Sequence, residues 1–169
     1  YGGNAVDQGY SVMVDKWNNV YLGGSTFSSS AIATGVAYQA TYGGSADAFL
    51  VKFDSSGSRL WATYYGGTAI EYQYDLDADA SGNIYMAGST ASTASIASGG
   101  FQNSYGGGGQ DAYLVKFDSL GALLWATYYG GSGNEYGGLC VAVDAAGYVI
   151  MGGYTSSTTA IASGGEYQT

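Results

Sequence analysis

The run from Asp47 to Gly67, AspAlaPheLeuValLysPheAspSerSerGlySerArgLeuTrpAlaThrTyrTyrGlyGly, returns from Asp111 to Gly131 with four changes in twenty-one residues. The offset is 64, and TyrGlyGly recurs at the same interval at Tyr1, Tyr65 and Tyr129. A fixed period of this length is the signature of a repeat architecture, in which each unit buries its apolar surface against its neighbours. Only a few folds have a unit of this size.

Four segments within one period read as strands. Segment A is TyrSerValMetValAsp (10–15), with Tyr10, Val12 and Val14 alternating against Ser11, Met13 and Asp15. Segment B is ValTyrLeuGlyGlySerThr (20–26). Segment C is AlaPheLeuValLysPhe (48–53), nearly continuous in apolar residues, as in a strand covered on both faces. Segment D is LeuTrpAlaThrTyrTyr (60–65), of aromatic and β-branched types. With Gly at 30 positions and no helical spacing, the chain is expected to be all-β.

The connections sharpen this. A joins B through residues 15–18, 79–82 and 144–147, and C joins D through 54–57 and 118–121. Each begins with Asp and, except for Asn18, ends with Gly. Asp accepts main-chain N–H bonds from the residues just after it, and Gly takes a positive φ cheaply, so each reads as a type I turn closed by a bulge. The B–C connections are long (27–46 and 91–110), rich in Ser, Thr, Ala and Gly, with an IleAla pair at 32–33 and 96–97. The D–A connections carry TyrGlyGly followed by an acid: Asp7, Glu71 or Glu135. In an up-and-down meander the tight turns share one end of the sheets and the long loops the other, so the loop end is the natural place for binding.

Four-stranded antiparallel sheets repeated at 64 residues predict β-propeller-like blades. The order TyrTyrGlyGly, an acid, Asp-x-x-Gly-Asn-(Val/Ile)-Tyr, Gly-Ser-Thr and then AspAla(Phe/Tyr)LeuValLysPheAsp resembles the SBBP repeats, a bacterial β-propeller family. The resemblance covers essentially the whole chain. It departs at Asn18, at Ala87 in place of the Gly found at position 23, and in having no Pro. It implies a secreted or surface-attached bacterial protein. The expected units are 4–67, 68–131 and an incomplete third at 132–169, holding segments A and B only. A closed ring of six to eight such units would need about 380–510 residues. The expectation is therefore a piece of a longer protein, or one chain of an assembly whose neighbours supply the missing strands.

Chemistry is restricted by what is scarce. Four basic residues face thirteen acidic ones, a net charge of −9. That disfavours nucleic acid and anionic membranes, which need Lys and Arg. No run approaches the roughly 18 apolar residues of a membrane helix. His is absent, which removes the commonest general base and zinc ligand. Cys140, the single cysteine, lies in the apolar run 139–143 and is expected to be a small buried hydrophobe. Asp54, Asp79, Asp118 and Asp144 are explained by the turns they start. Trp61 and Trp125, recurring at one position, are expected to pack between units.

One carboxylate set breaks the repeat: Asp75, Asp77 and Asp79 alternate along segment A of the second unit. The expectation is a solvated face lining a central channel. The competing reading is a calcium site, although the Gly of a calcium loop falls too late. The sequence thus points to a non-catalytic structural or adhesive repeat segment of an extracellular β-propeller or propeller-like filament, without cofactor or metal. Its partners would be copies or further repeats of itself. The alternative is a glycan-binding module on the loop face, stacking sugars on the TyrGlyGly tyrosines and assisted by calcium.

Overall fold

The structure, a computed structural model, describes residues 1–162. Ten strands follow one another: β1 (Asp7–Val14), β2 (Val20–Thr26), β3 (Asp47–Phe53), β4 (Arg59–Tyr65), β5 (Glu71–Ala78), β6 (Ile84–Thr90), β7 (Asp111–Phe117), β8 (Leu123–Tyr129), β9 (Glu135–Val143) and β10 (Val149–Thr155). They make three antiparallel sheets, β1-β2-β3-β4, β5-β6-β7-β8 and the pair β9-β10, and the described residues hold no helix. The all-β expectation is met, and segments A to D fall on the strands. The third expected unit runs on to Thr169, and 163–169 lie outside the described residues.

Register is the same in the two full sheets. Gly24 faces Phe49 and Gly88 faces Tyr113 across the second and third strands. The first strands carry a bulge at one equivalent place, Tyr10 and Tyr74, which breaks the alternation expected of segment A. All five tight turns have the expected geometry. The residue four from Asp15, Asp54, Asp79, Asp118 or Asp144, counting the Asp as first, donates its N–H to that Asp's carbonyl. That residue is Asn18, Gly57, Gly82, Gly121 or Gly147, each with φ between 63° and 88°. The Asp Oδ1 then takes two further main-chain N–H groups, as Asp118 does from Leu120 and Ala122 at 2.9 Å each.

The sheets pack face to face. β5 lies against β1, β2 and β3, and β9 against β5, β6 and β7, so the first strands converge and β4 and β8 lie outermost. Between the first two sheets Tyr21, Leu50, Trp61 and Tyr65 meet Leu76, Met86, Val115 and Phe117 in one cluster. The Trp61 indole donates to the Ser119 carbonyl at 3.2 Å and stacks on the turn at Gly121. Lys52 reaches the same carbonyl at 3.0 Å, and its ammonium lies over the Tyr21 ring. On the second sheet Trp125 meets Tyr85 and Lys116 lies over the Tyr85 ring in the same way, but the Lys116 ammonium pairs with Asp79 of its own sheet. There Trp125 is half-buried against the cluster of Tyr85, Ala87 and Val141.

The long loops take a different course from a simple cluster at one end. Loop 27–46 turns back along the outer edge of β4, pairing Thr34 with the Ala62 carbonyl and Gln39 with Tyr64. Loop 91–110 does the same on β8, where Ser98 and Ala126 exchange two N–H···O bonds. Ile32 and Ile96 are fully buried anchors of these loops. An open strand edge is a template for unwanted pairing, and here the loops cover it.

Cys140 is exposed, correcting the expectation of a buried thiol. Val141 and Val143 take the face toward Tyr85 and Trp125, and strand alternation puts Cys140 and Ala142 on the other face. Apolar neighbours in sequence do not say which face is covered.

Trp61→Ala is expected to cost about 3–5 kcal/mol, since the ring is 5% exposed and wholly between sheets. Trp125→Ala, half-buried, should cost about half as much. Chemical denaturation of both variants tests the order, and equal costs would contradict the packing described.

Candidate functional site

The structure gathers the carboxylates in three settings. The first is the turn Asp already described. Asp79 is its extreme case: burial opposes ionisation, but bonds from Asn83 and Lys116 outweigh it and lower the acid to about 2. Lys116 Nζ lies 3.2 Å from its Oδ2.

The second setting is the acid that follows each TyrGlyGly. Glu71 is fully buried; its Oε2 accepts the Gly67 N–H at 2.8 Å and its Oε1 the Thr90 hydroxyl at 2.6 Å. Glu135 binds Gly131 N–H at 3.0 Å, Thr155 at 2.7 Å and Ser157. Asp7 binds Gly3 N–H at 2.7 Å, Ser28 at 2.9 Å and Thr26. One carboxylate thus ties the D–A loop to the end of the second strand in every unit.

A second acid comes beside it in two units. Asp47 accepts Gly43 N–H at 2.8 Å and Gln39 Nε2 at 2.9 Å, and Asp111 accepts Gly106 N–H at 2.6 Å. Asp47 Oδ1 and Glu71 Oε2 close on the Cα of Gly66, where any Cβ would overlap both, and Asp111 with Glu135 does the same at Gly130. Asp47 Oδ1 and Asp111 Oδ1 are buried with no hydrogen-bond partner. Two buried carboxylates this close oppose each other's ionisation, because like charges at close range cannot both ionise cheaply. Burial pushes Asp47 and Asp111 up to about 6, with Glu71 and Glu135 respectively adding to the rise. Glu71 is itself raised, chiefly by burial. Sequence reading missed these pairs: the two acids are 24 residues apart, and nothing in either run signals the other.

The third setting is Asp75 and Asp77. Both are partly exposed and bond the next sheet. Asp75 Oδ2 accepts the Val141 N–H at 2.9 Å, and Asp77 Oδ2 accepts the Val143 N–H at 2.7 Å, both from β9 of the next sheet. Their other oxygens take Leu76 and Ala78 N–H. A cation site needs carboxylate oxygens converging on one point; these are held apart by main-chain donors, and Asp79 is held by its turn. The three do not fit calcium.

Of the tyrosines that open TyrGlyGly, Tyr65 is buried and Tyr1 and Tyr129 are exposed. Tyr64, Tyr65 and Tyr128 are buried. Tyr65 donates to the Ile96 carbonyl at 2.7 Å, and Tyr1 and Tyr129 donate to Ile32 and Ile161. Tyr65 packs on Tyr113 and Phe117, and Tyr1 on Phe49 and Phe53. Tyr65 thus has no free face for a sugar, whereas Tyr1 and Tyr129 are 45% and 37% exposed. No protein-family model matches the chain, and no curated protein matches it.

Two outcomes follow. Asp47 and Asp111 are raised above their ordinary 3.8 to about 6, so the folded state holds more protons than the unfolded one between those values. Stability is then highest at the acidic side of that window and falls as pH rises through it. Asp7, Asp15 and Asp79, held below their ordinary values, take stability away only as pH falls further. Thermal melts across pH should show a maximum near the lower end of the window, and Asp47→Asn with Asp111→Asn should flatten the decline. A flat profile in the unmodified protein would contradict the raised Asp47 and Asp111.

Asp75→Ala and Asp77→Ala should each cost about 1 kcal/mol and speed amide exchange at Val141 and Val143. EDTA should leave the melting temperature of the unmodified protein unchanged; a drop restored by calcium would overturn the account of these residues.

Proposed function

We propose that this chain is a non-catalytic structural segment of an extracellular bacterial β-propeller or propeller-like filament, built by stacking four-stranded blades face to face. One observation carries the reading: face-to-face packing occurs twice, with Tyr21 and Trp61 of the first sheet against Leu76 and Phe117, and with Tyr85 and Trp125 of the second against Val141 and Val143. Convergence of β1, β5 and β9, with β4 and β8 outermost, is the arrangement radial blades require.

Catalysis has little to work with. The acids are committed to main-chain donors, and His is absent. The amides of the loop end are committed too: Gln39 and Gln102 accept the Gly66 and Gly130 N–H groups. The loops therefore act as edge covers, which favours the structural reading over a glycan platform.

The partners are copies or further repeats of the same protein. Val12 and Val14 on β1 are 67% and 62% exposed, whereas Leu76, at the position of Val12 one repeat later, is 6% exposed beneath the preceding sheet. At the other end Ile150 is 62% exposed where its counterpart Tyr85 is 3%. Complementary faces at opposite ends give a heterologous contact, which propagates head to tail.

Sedimentation over a wide concentration range is expected to show mass rising with concentration, and Val12→Glu combined with Ile150→Glu to hold the chain monomeric. A monodisperse monomer throughout, with no effect of the double variant, would overturn the reading.

A further inference from the structure

Each boundary between consecutive sheets holds one acid pair, with one member from either side. Asp47 begins β3 and Glu71 begins β5; Asp111 begins β7 and Glu135 begins β9. Around each pair the main chains of the two units are in direct contact. Ser45 donates to the Ala69 carbonyl at 2.9 Å and Glu71 to the Ala46 carbonyl at 2.8 Å, as Glu135 does to Gln110 at 2.8 Å. Gly44 lies against Thr68 and Gly106 against Gly130, with no room for a Cβ. The carboxyls meet at Gly66 and Gly130, in the middle of these contacts.

At each pair one oxygen is left without a donor. Asp47 Oδ2 takes the Gly43 N–H and Gln39 Nε2, and both Glu71 oxygens take donors, from Gly67 and Thr90. Asp47 Oδ1 has none, although the side chain is wholly buried, and this oxygen and Glu71 Oε2 close on one point beside the Gly66 Cα. Asp111 Oδ1 and Glu135 Oε2 repeat the arrangement at Gly130. A buried acceptor calls for a donor. A cation fits poorly where three of the four oxygens already face N–H and O–H groups. Nor does a Lys or Arg serve: Lys116 with Asp79 is the one ion pair among the described residues. The other titratable groups close enough to act on the pairs are tyrosines. Tyr42 and Tyr64 lie toward Asp47, Tyr65, Tyr113 and Tyr128 toward Glu71, and Tyr105 with Tyr128 toward Asp111. Burial holds each of them above its ordinary value, so they stay neutral wherever a carboxyl titrates.

We propose that each acid pair is a proton-operated latch between consecutive sheets. One proton on Asp47 Oδ1 donates to Glu71 Oε2, which supplies the missing donor and leaves a single charge; Asp111 and Glu135 do the same. When that proton leaves to solvent, two carboxylates face each other in a buried site, where like charges repel far more strongly than in water. The loop end then parts, 43–46 from 66–69 and 106–110 from 130–134. The apolar contact of Tyr21 and Trp61 with Leu76 and Phe117 stays closed. Burial pushes Asp47 and Asp111 up to about 6, so the latch holds on the acid side of that pH and lets go on the neutral side. Thermal melts read the summed stability, whereas the latch places the change at two backbone contacts. It lies within one chain and does not depend on self-association.

Residue-level amide exchange across pH, corrected for the intrinsic rate, tests this on the whole chain. The N–H groups of Ala46, Glu71 and Glu135 cross the boundaries. Their protection should fall about tenfold for each pH unit above the release point, one proton per opening, while the ladders of β2 with β3 and β6 with β7 keep theirs. Asp47→Asn places a permanent donor at the Oδ1 position. It should make Ala46 and Glu71 independent of pH and leave Glu135 responsive; Asp111→Asn should do the reverse. Asp79→Asn, at a turn, should change neither response. A general loss of stability would not separate the two pairs in this way. Protection that is flat with pH in the unmodified chain, that falls equally in every strand, or that stays pH-dependent at Ala46 in Asp47→Asn would overturn the latch. So would its recovery at neutral pH on adding calcium or potassium chloride, since a cation would then be holding the pair.

Discussion

A sheet that is apolar on both faces can bury them only against other sheets, and here each finds its neighbour along the chain. The contact between the first two sheets sets most of the rest. Trp61 and Tyr21 project from one sheet onto Leu76, Met86 and Phe117 of the next. The indole N–H and the Lys52 ammonium both end on one turn carbonyl. That shared acceptor fixes the tight turn of one unit over the strands of the one before, and the turn in turn needs its Asp and Gly to present the carbonyl there. The long loops serve the same stacking from outside. By running along β4 and β8 they close the outer edges, leaving the faces as the main surfaces for growth.

Aromatic rings of this size approach one another only where the backbone gives way. Gly24 and Gly88 let Phe49 and Tyr113 lie directly on the neighbouring strand, and Gly66 and Gly130 let two carboxylates meet at one Cα. The abundance of Gly and the abundance of Tyr are therefore two sides of one packing solution. Buried tyrosine calls for a partner for its hydroxyl; the loops supply it to Tyr64 and Tyr128, which bond the carbonyls of Ser28 and Ser92 at 2.9 Å, while the Tyr113 hydroxyl is buried without one. A ring bridges strand and loop in each unit, so the loop is held although it has little regular structure.

What could be read from the sequence was what is local or periodic. The Asp-x-x-Gly turns depend on four consecutive residues, and all five formed. The strands depend on short runs, and they fell in place. The 64-residue offset predicted that Trp61 and Trp125 would pack alike, but not that they would be covered unequally. Coverage is a property of the neighbour, and the same limit explains Cys140. The acid pairs were invisible because Asp47 and Glu71 meet only once loop 43–46 folds onto 66–69. Asp75 and Asp77 were placed on one face correctly, and yet misread. That face meets β9, whose main-chain donors lie 66 positions ahead, and a strand's own pattern carries no trace of a neighbour's unpaired N–H groups.

The charge of the protein follows from the same requirement. Of thirteen acids, only Glu166 lies outside the described residues, and each of the other twelve accepts at least one main-chain N–H. Asp15, Asp54, Asp79, Asp118 and Asp144 do so in turns. Asp7, Asp47, Glu71, Asp111 and Glu135 do so in Gly-rich loops, and Asp75 and Asp77 across a sheet boundary. A chain of short strands joined by glycine loops leaves many N–H groups outside any ladder, and buried ones must be met. A carboxylate meets them with two oxygens and stronger bonds than a neutral acceptor. The net charge of −9 thus reflects how the backbone is satisfied, and a cationic partner is not required to explain it.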